Sequence, residues 1–313
     1  MPTEQMSNAN KPLSADGKTY HVETKWGQVA NRILTVGDPQ RARLISQQLD
    51  KVLFEHMSHR GILTITGVYR GLPVSIVAIG MGLSMMDFFV REVRMVVKGP
   101  MTIVRLGSCG SICDARAGDV IVASAAFGIT TNYSFYTTAV EDPPSNRLPV
   151  EPYILWPSVQ PDARLTGSVT ASIARKLGGP DCVFEGEVGN ADGFYGSQGR
   201  VGDDFYDANA SLLDRVRATH PNAAALEMES HTLFHLASIS TGPSGARHPP
   251  SIRAACALVV FADRSGNSFI DPSKTAAIYT DVSAAVLDAL VADAPAQSPD
   301  MHPAEGSVWE GEL

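Results

Sequence analysis

Short apolar runs alternate with stretches of helical periodicity along most of this chain. Residues 32–36 form an apolar run that predicts a strand, and Pro39 then opens a helix that extends to about Leu49, with Asp38 as its N-cap. The same pattern predicts further strands at 62–65, 74–78, 102–106, 119–125 and 254–261, and helices at 85–98, 225–238 and 274–291. Strands that alternate with helices are typical of a layered α/β domain.

The two ends of the chain and two internal stretches depart from this pattern. Residues 1–18 are polar, and residues 293–313 begin with prolines and small residues, so both are expected to be flexible tails. Residues 141–162 and 241–250 are rich in proline and have α/β segments on either side, which is typical of surface insertions rather than of linkers. We therefore expect one domain over residues 19–292.

Composition narrows the range of partners. With 313 residues, 44% of them hydrophobic, the chain is able to bury a full core. Its formal net charge of −8 offers no general attraction for nucleic acid, so an anion has to be bound by local arginines. No run of 18 apolar residues and no signal-peptide core is present, so no membrane partner is expected. The four cysteines, at 109, 113, 182 and 256, follow neither a zinc nor a disulfide-framework spacing, which favours a reducing compartment, most simply the cytoplasm.

Residues 194–200 place a carboxamide and a guanidinium two residues apart, next to two aromatic side chains. A uracil ring presents two carbonyl acceptors on either side of one N–H donor. The Gln198 amide and the Arg200 fork match this pattern, and Phe194 is able to cover the flat ring. The alternative is an exposed polar turn, which the same glycine-rich segment also suits.

Two further segments offer sites for an anion. Gly37 lies between a strand and a helix, where an anion is able to approach backbone N–H groups, and Arg41 in the first turn adds a bidentate contact. Arg105 lies within an apolar strand, where a lone charge is costly, and Ser108 follows in a glycine-rich turn. The alternatives are an ordinary strand–helix junction at Gly37 and an internal ion pair at Arg105. Cys109 is a further candidate, as a nucleophile, but no activating base lies near it in sequence.

Residues 227–229 set two acids around a methionine where an apolar segment enters a helix. A carboxylate at such a site is able to accept hydrogen bonds from two ribose hydroxyls while Met228 covers the apolar face of the sugar. Plain helix-start acids are the alternative. Glu227, His231 and His235 also share one helical face by spacing and would suit a metal ion, although a packed or solvated face is more typical of this pattern.

Three smaller groupings are less specific. His56 and His59 beside Arg60 predict either a solvated basic patch or another phosphate contact. The pair Tyr20–His21 predicts a local surface contact. The pair Asp263–Arg264 predicts either an internal ion pair or a wall of the base pocket.

Taken in order, these segments resemble those of the nucleoside phosphorylase family and, within it, the uridine phosphorylases. The resemblance extends from about residue 20 to 290 and is most specific at 37–41, 105–110, 194–200 and 227–230. It implies a single three-layer αβα domain with a mixed central sheet. It also implies reversible phosphorolysis of uridine to uracil and ribose 1-phosphate, a pentosyl transfer in pyrimidine salvage. Inorganic phosphate is then a co-substrate, and no metal or organic cofactor is required.

The resemblance also implies roles for individual residues. Phosphate is held by Gly37, Arg41, Arg105, Ser108 and, from a neighbouring subunit, Arg60. Ribose is held by Met228, Glu229 and, from a neighbouring subunit, His21. The base is held by Phe194, Gln198, Arg200, Cys109 and Gly110, and the expected catalytic residues are Arg200, Gln198 and Glu229. Because two residues are donated between subunits, the active unit is expected to be a homodimer or a larger homo-oligomer.

Two positions depart from the family pattern. Gly61 stands where some bacterial members have a glutamate that binds an interface cation, so no such site is expected. Asp263 stands where many members have asparagine, and purine-specific relatives use an aspartate in this region to protonate the base. One alternative is therefore a purine nucleoside phosphorylase with Asp263 as general acid. The others are a nucleosidase, a nucleoside-binding protein without turnover, and a metal-dependent hydrolase built on Glu227, His231 and His235.

Overall fold

A large mixed β-sheet forms the centre of the molecule. The computed structural model describes residues 6–138, 150–241, 251–292 and 301–313. Within these ranges the strands are β1 (Arg32–Val36), β2 (Lys51–Met57), β3 (Leu63–Tyr69), β4 (Leu72–Ala78), β5 (Met101–Ser111), β6 (Val120–Thr131), β7 (Tyr153–Leu155), β8 (Val183–Ala191), β9 (Ala223–Glu227), β10 (Ile252–Asp263) and β11 (Ser268–Phe269). Neighbouring strands follow the order β11-β10-β6-β8-β9-β5-β1-β4-β3-β2, and β7 pairs with β6.

One half of this sheet closes on itself. Strand β10 pairs in parallel with β5 as well as antiparallel with β6, so β5, β10, β6, β8 and β9 form a closed ring. The other half, β1 to β4, extends from β5 as an open sheet, with Thr35 of β1 opposite Arg105 of β5. The carboxyl ends of β1, β5, β9 and β10 therefore lie close together, where residues from distant parts of the sequence meet.

Helices cover both faces of the sheet. They are α1 (Pro39–Ser46), α2 (Leu83–Val96), α3 (Tyr133–Thr138), α4 (Ala163–Lys176), α5 (Leu212–Thr219), α6 (Ser230–Ser238) and α7 (Pro272–Ala292). Helices α2 and α6 bury Phe89 and Phe234 in one apolar core, and α1, α4 and α7 bury side chains such as Ile45 and Tyr279 in the other. This arrangement confirms the three-layer αβα fold with a mixed central sheet.

The local predictions hold best where a capping residue or turn marks a boundary. Asp38 accepts hydrogen bonds from the backbone N–H groups of Gln40 (2.7 Å) and Arg41 (3.0 Å), as expected of an N-cap. The prediction of one helix over 225–238 is wrong in its first part, because Ala223–Glu227 is strand β9 and helix α6 begins at Ser230. A short, fully buried apolar run fits a strand and a helix equally well, and here pairing with β8 and β5 decides.

The expected tails and insertions differ in outcome. Residues 139–149, 242–250 and 293–300 lie outside the described residues, and they include 141–149 of the first expected proline-rich insertion and 242–250 of the second. The remainder of the first insertion contains β7, which adds an edge strand to β6. The last 13 residues, 301–313, pack against the fold: Trp309 is 1% exposed, and Val308 donates a backbone hydrogen bond to Gly27 (2.9 Å). The flexible tail expected for 293–313 is therefore wrong for this part, because a buried tryptophan anchors it.

Helix α7 is long and apolar. It is the one helix of the described residues that is long and apolar enough, by length and composition alone, to cross a membrane. Its residues Tyr279, Val286 and Leu290 are buried in the core shared with α1 and α4. Its apolar character is therefore that of a core helix.

Candidate active site

A pocket of about 570 Å³, including its open mouth, lies at the carboxyl ends of β5, β9 and β10. It contains predicted residues from three of the four motifs, even though they are up to about 120 positions apart in sequence, and none from the segment 37–41. The predicted residues that line it are Arg105, Ser108, Cys109, Gly110, Phe194, Gln198, Arg200, Met228 and Glu229. Glu227, Met81, Leu226, Phe261, Ala262 and Phe269 complete the wall.

The end of the pocket that is predicted to bind the base is formed by the chain after β8. A short 3-10 helix, Gly196–Gln198, ends at Gly199, whose φ of 64° lets the chain turn so that Gln198 and Arg200 face the same pocket. Arg200 Nη1 donates to Gln198 Oε1 (2.7 Å) and to the Phe194 carbonyl (2.5 Å). The guanidinium carbon lies 3.7 Å from the centroid of the Phe194 ring. Arg200 thus covers the aromatic face on which a base is expected to stack, and has to move when that face is used.

The pKa of the Arg200 guanidinium is lowered by its surroundings. Burial, with a contribution from Arg264, lowers the pKa of Arg200 to about 10, so the group still carries its charge at neutral pH. Arg264 itself donates to the backbone carbonyls of Gln198 (2.9 Å) and Gly199 (3.0 Å). Arg264 therefore holds the base loop in place, as part of the wall behind the pocket.

Asp263 serves a different purpose. Its Oδ1 accepts hydrogen bonds from the backbone N–H groups of Ser265 (3.0 Å) and Gly266 (2.8 Å), which closes the turn between β10 and β11. The expectation of an internal Asp263–Arg264 pair is wrong, because each side chain is engaged elsewhere. The carboxylate of Asp263 does not line the described pocket, which weakens its case as a general acid.

The buried end of the pocket contains one guanidinium and two carboxylates. Arg105 on β5 forms an ion pair with Glu229, and its Nε lies 3.6 Å from Glu227 Oε2. This is the internal ion pair that the sequence left open as an alternative. Burial alone would lower the pKa of Arg105, but Glu229 and Glu227 raise it above its usual value. Among the described residues, Arg105 Nε and Nη1 have no hydrogen-bond partner although both are buried, so the group retains donors for a further acceptor.

Glu227 and Glu229 are held by the start of helix α6. Glu227 accepts hydrogen bonds from the backbone of Glu229 (2.8 Å) and from the backbone and hydroxyl of Ser230 (2.9 and 2.6 Å). Burial and the nearby Glu229 carboxylate raise the pKa of Glu227 to about 7, against the opposing effects of Arg105 and Ser230. Glu229 Oε1 accepts the backbone N–H of Gly82 (2.5 Å). Glu227 is thus a helix cap, whereas Glu229 projects into the pocket.

Gly37 and Arg41 lie beside this buried group. A Cβ added to Gly37 would lie 3.2 Å from the Gly80 carbonyl and 4.0 Å from Arg105 Nη2, so a glycine there keeps the loop close to the guanidinium. Arg41 donates to the Tyr279 hydroxyl (3.0 Å), which in turn donates to the Gly107 carbonyl (2.8 Å). Through Tyr279, Arg41 reaches Gly107, in a segment that the sequence predicted as a turn and that the structure places within strand β5. The two predicted phosphate arginines therefore converge on one end of the sheet.

His21 and Arg60 lie outside this pocket. His21 Nδ1 lies 2.5 Å from Glu92 Oε1, and the imidazole stacks on Phe88 with ring centroids 4.0 Å apart. These contacts fix the position of the imidazole ring. Arg60 is exposed in the turn between β2 and β3. Since neither residue lines the pocket of its own chain, their assignment to a neighbouring subunit's site stays a prediction.

The family model described as "Phosphorylase superfamily" matches residues 31–292. This chain belongs to that superfamily. A uridine phosphorylase of Thermococcus kodakarensis is 30% identical to it over 269 residues, 85% of each chain. A DeoD-type purine nucleoside phosphorylase of Geobacillus kaustophilus is 37% identical, but over only 109 residues, 34% of this chain and 46% of its own.

Solved structures agree with this assignment. A structure from a study of two uridine phosphorylases of the oomycete Phytophthora capsici superimposes with a TM-score of 0.83 at 33% identity, covering 94% of this chain and all 100% of its own. A Trypanosoma brucei nucleoside phosphorylase described as showing uridine phosphorylase activity has a TM-score of 0.69 at 22% identity, covering 90% and 99%. The second likeness shows the shared superfamily fold.

The geometry also bears on the other chemistries that the sequence left open. The helical face proposed for Glu227, His231 and His235 does not exist, because Glu227 ends a strand and only the histidines belong to α6. The described residues contain no cluster of three or more His, Cys, Asp or Glu side chains suited to a metal. Burial, then Glu227 and Cys113, raise the pKa of Cys109 well above its usual range, which disfavours a nucleophilic thiolate.

Several residues that build the site carry no recognisable signal in the sequence. Tyr279 lies 238 positions after Arg41 and connects it to Gly107 of β5, and no local pattern signals such a contact. Phe261 and Phe269 line the pocket from β10 and β11. An exposed Phe269, 70% accessible at a strand end, is a signal that is visible only once the hairpin is known.

Proposed function

We propose that this protein catalyses the reversible phosphorolysis of uridine to uracil and ribose 1-phosphate. The observation that carries the proposal is the convergence, in one pocket, of Gln198 and Arg200 at one end and Arg105 with Glu229 at the other. The first pair complements a pyrimidine edge, and the second end offers a cation for phosphate and a carboxylate for ribose. Membership of the phosphorylase superfamily and the uridine phosphorylase relatives support the same conclusion.

The proposed reaction stabilises charge at two points, the anomeric carbon and the leaving base. Cleavage of the glycosidic bond places positive charge on the anomeric carbon, and a phosphate held by Arg41, Arg105 and Ser108 stabilises that charge and then attacks. The leaving uracil gains negative charge on its ring nitrogen and carbonyls. Arg200 and the Gln198 amide bind that anion more tightly than neutral uridine, which lowers the barrier.

Ribose is expected to lie between these two ends. Glu229 would accept hydrogen bonds from the sugar hydroxyls, and Met228 would lie on the apolar face of the ring. To do so, Glu229 has to give up part of its ion pair with Arg105. Phosphate is the natural replacement partner for Arg105, because the buried Nε and Nη1 of Arg105 have no hydrogen-bond partner among the described residues.

The proposed active unit is a homodimer or a larger homo-oligomer, with His21 and Arg60 donated to the neighbouring subunit's pocket. We also propose a cytoplasmic role in pyrimidine salvage, with inorganic phosphate as co-substrate and no metal or organic cofactor. A dilution series tests the assembly: activity that persists in a demonstrated monomer would show that no residue is donated.

The decisive assay is uracil release from uridine, with and without added phosphate. Phosphate-dependent release is the expected result, and release of free ribose without phosphate would instead indicate a nucleosidase. Calorimetric binding of uridine with no turnover would indicate a nucleoside-binding protein. The Asp263→Asn variant, assayed with uridine and inosine, tests the purine alternative: uridine activity is expected to persist, and a preference for inosine that the substitution abolishes would replace the proposal.

A further inference from the structure

A carboxylate outside the pocket connects the two segments that are expected to serve the neighbouring subunit. Glu23 lies two residues after His21, on a loop closed by Thr19 N–H donating to the Thr24 carbonyl (3.0 Å). One carboxylate oxygen forms an ion pair with His59 Nδ1, and the other lies 3.0 Å from His56 Nε2. His59 directly precedes Arg60. Glu23 thus spans the space between the loop of His21 and the turn of Arg60.

The backbone of Glu23 supports a specific role for its side chain. Its φ is 56°, in the left-handed region that glycine adopts freely and a glutamate adopts only at a cost. Such a conformation persists where the surrounding contacts enforce it, and it clusters at functional sites. In this loop the enforcing contacts of the side chain are the two histidines. A glycine would be the simpler choice for the backbone, so the carboxylate itself is the feature that needs an explanation.

The turn that carries Arg60 has few other anchors for that side chain. Gly61 N–H donates to the Ser58 carbonyl (2.9 Å), and Ser58 N–H donates to the Ile62 carbonyl (2.8 Å), so the turn's backbone is closed. Gly61 also adopts a positive φ, of 80°, and Arg60 itself is exposed. The orientation of Arg60 therefore depends on its neighbour His59, which Glu23 fixes. Burial alone would raise the pKa of Glu23, but hydrogen bonds from His59 and His56 outweigh it and lower the pKa, so the carboxylate is ionised at neutral pH.

We propose that Glu23 is a positioning residue for phosphate binding: through His59 and His56 it orients the Arg60 turn, and with it the guanidinium that the neighbouring subunit's pocket receives. This inference rests on the proposed function. It assigns to a residue outside the pocket an effect on the KM for phosphate. Glu23 is expected to change the KM for phosphate only by positioning Arg60, so substitution of Glu23 should have no effect on this KM when Arg60 is absent.

Two substitutions separate this role from simple stabilisation. Glu23→Gln keeps the size and removes the charge, whereas Glu23→Gly removes the side chain and also relieves the positive φ. We expect the KM for phosphate to rise about tenfold in both variants with kcat within about threefold, since one well-placed charge-assisted contact corresponds to about this factor. The melting temperature of Glu23→Gly is expected to stay within about 2 °C of the parent, because relief of strain offsets the lost contacts. Glu55→Gln is the matched control, because Glu55 lies on β2 next to His56 but pairs with exposed Arg43 (3.1 Å).

A double-mutant cycle completes the test. Adding Glu23→Gln to Arg60→Ala should change the KM for phosphate less than twofold further, because the route of the effect is already lost. The proposal is overturned if both single variants keep the parent's phosphate KM, if the loss appears only in a variant with a lowered melting temperature, or if the two substitutions act additively. Phosphate calorimetry on the same variants judges the inference even if the parent releases no uracil, an outcome that would refute the proposed function alone.

Discussion

Glu229→Gln should change phosphate binding and uridine turnover in opposite directions. In the ligand-free structure Glu229 is 2% exposed and occupies one side of the Arg105 guanidinium through a buried ion pair. A phosphate that binds Arg105 has to share that cation with the carboxylate. Removal of the Glu229 charge leaves Arg105 more available, so phosphate alone should bind more tightly. The same substitution removes the carboxylate that is expected to hold the ribose hydroxyls, so turnover should fall.

The size of the first effect follows from the charges. Two unit charges about 4 Å apart interact by about 4 kcal/mol at an effective dielectric constant of about 20. Glu227 still lies 3.6 Å from Arg105 Nε in the variant and keeps part of the pairing. Water in the pocket solvates the remainder. We therefore expect about a third of the full value, about 1.4 kcal/mol, which is about a tenfold gain in phosphate affinity. The lost ribose contacts should lower kcat/KM for uridine. The loss of transition-state stabilisation should be about 1.5–3 kcal/mol, the usual contribution of a hydrogen bond to a charged group.

Calorimetric titration with phosphate, without nucleoside, measures the first effect, and initial-rate kinetics with uridine measure the second. Glu187→Gln is a suitable control, because Glu187 pairs with His220 (3.0 Å) and does not line the pocket. If Glu229→Gln left phosphate affinity unchanged or weakened it, Arg105 would not be the shared cation, and the phosphate site would have to lie elsewhere.

Three further predictions follow from individual contacts. Arg200→Ala should lower kcat/KM for uridine by about 2–4 kcal/mol with little change in the melting temperature, and steady-state kinetics within a factor of two of the parent would refute its role. Because the folded-state pKa of Glu227 is raised from 4.5 to about 7, its contribution to stability is complete below about pH 4.5 and is lost as the pH rises through 7. Denaturant unfolding at about pH 5 and about pH 8 should show that loss, and Glu227→Gln should flatten the difference. Trp309→Ala should destabilise the fold by about 3–5 kcal/mol, since the side chain is 1% exposed, whereas a truly flexible tail would give no change in the denaturant midpoint.

The sequence predicts the fold well where a local signal and the tertiary structure agree. The strand at 32–36, the Asp38 cap and the strand at 74–78 each depend on residues within a few positions of one another. The helix predicted at 225–238 failed at its start because the identity of Ala223–Glu227 depends on pairing with β8, nearly 40 positions earlier. Neither composition nor period distinguishes the two states for four apolar residues followed by a glutamate.

In the site as well, contacts between residues that are distant in sequence could not be predicted. The sequence predicts base binding at 194–200 because the donors and acceptors lie within one turn, and this role stays a prediction. The pairing of Arg105 with Glu229, 124 positions away, was open in the sequence, since a buried arginine requires a partner but does not specify which. The stacking of Arg200 on Phe194 could not be predicted from the sequence either. The side-chain conformation in a pocket without ligand is set by the packing of the whole loop.

The charges of the pocket suggest that phosphate affinity depends on the association of subunits. At the buried end, two carboxylates face one guanidinium, so Arg105 by itself offers little net positive potential to a dianion. Arg41 adds charge, but its guanidinium is already packed on the rings of Phe261 and Tyr279, with centroids at 5.2 and 4.7 Å. If Arg60 is donated by a neighbouring subunit as proposed, it supplies the further positive charge, and the single chain should bind phosphate poorly. Phosphate affinity measured across a dilution series should therefore fall as subunits separate, by an amount that Arg60→Ala reproduces in the intact oligomer. Equal affinity in monomer and oligomer would mean that Arg105 and Arg41 suffice, and that the carboxylates release Arg105 without help from a partner.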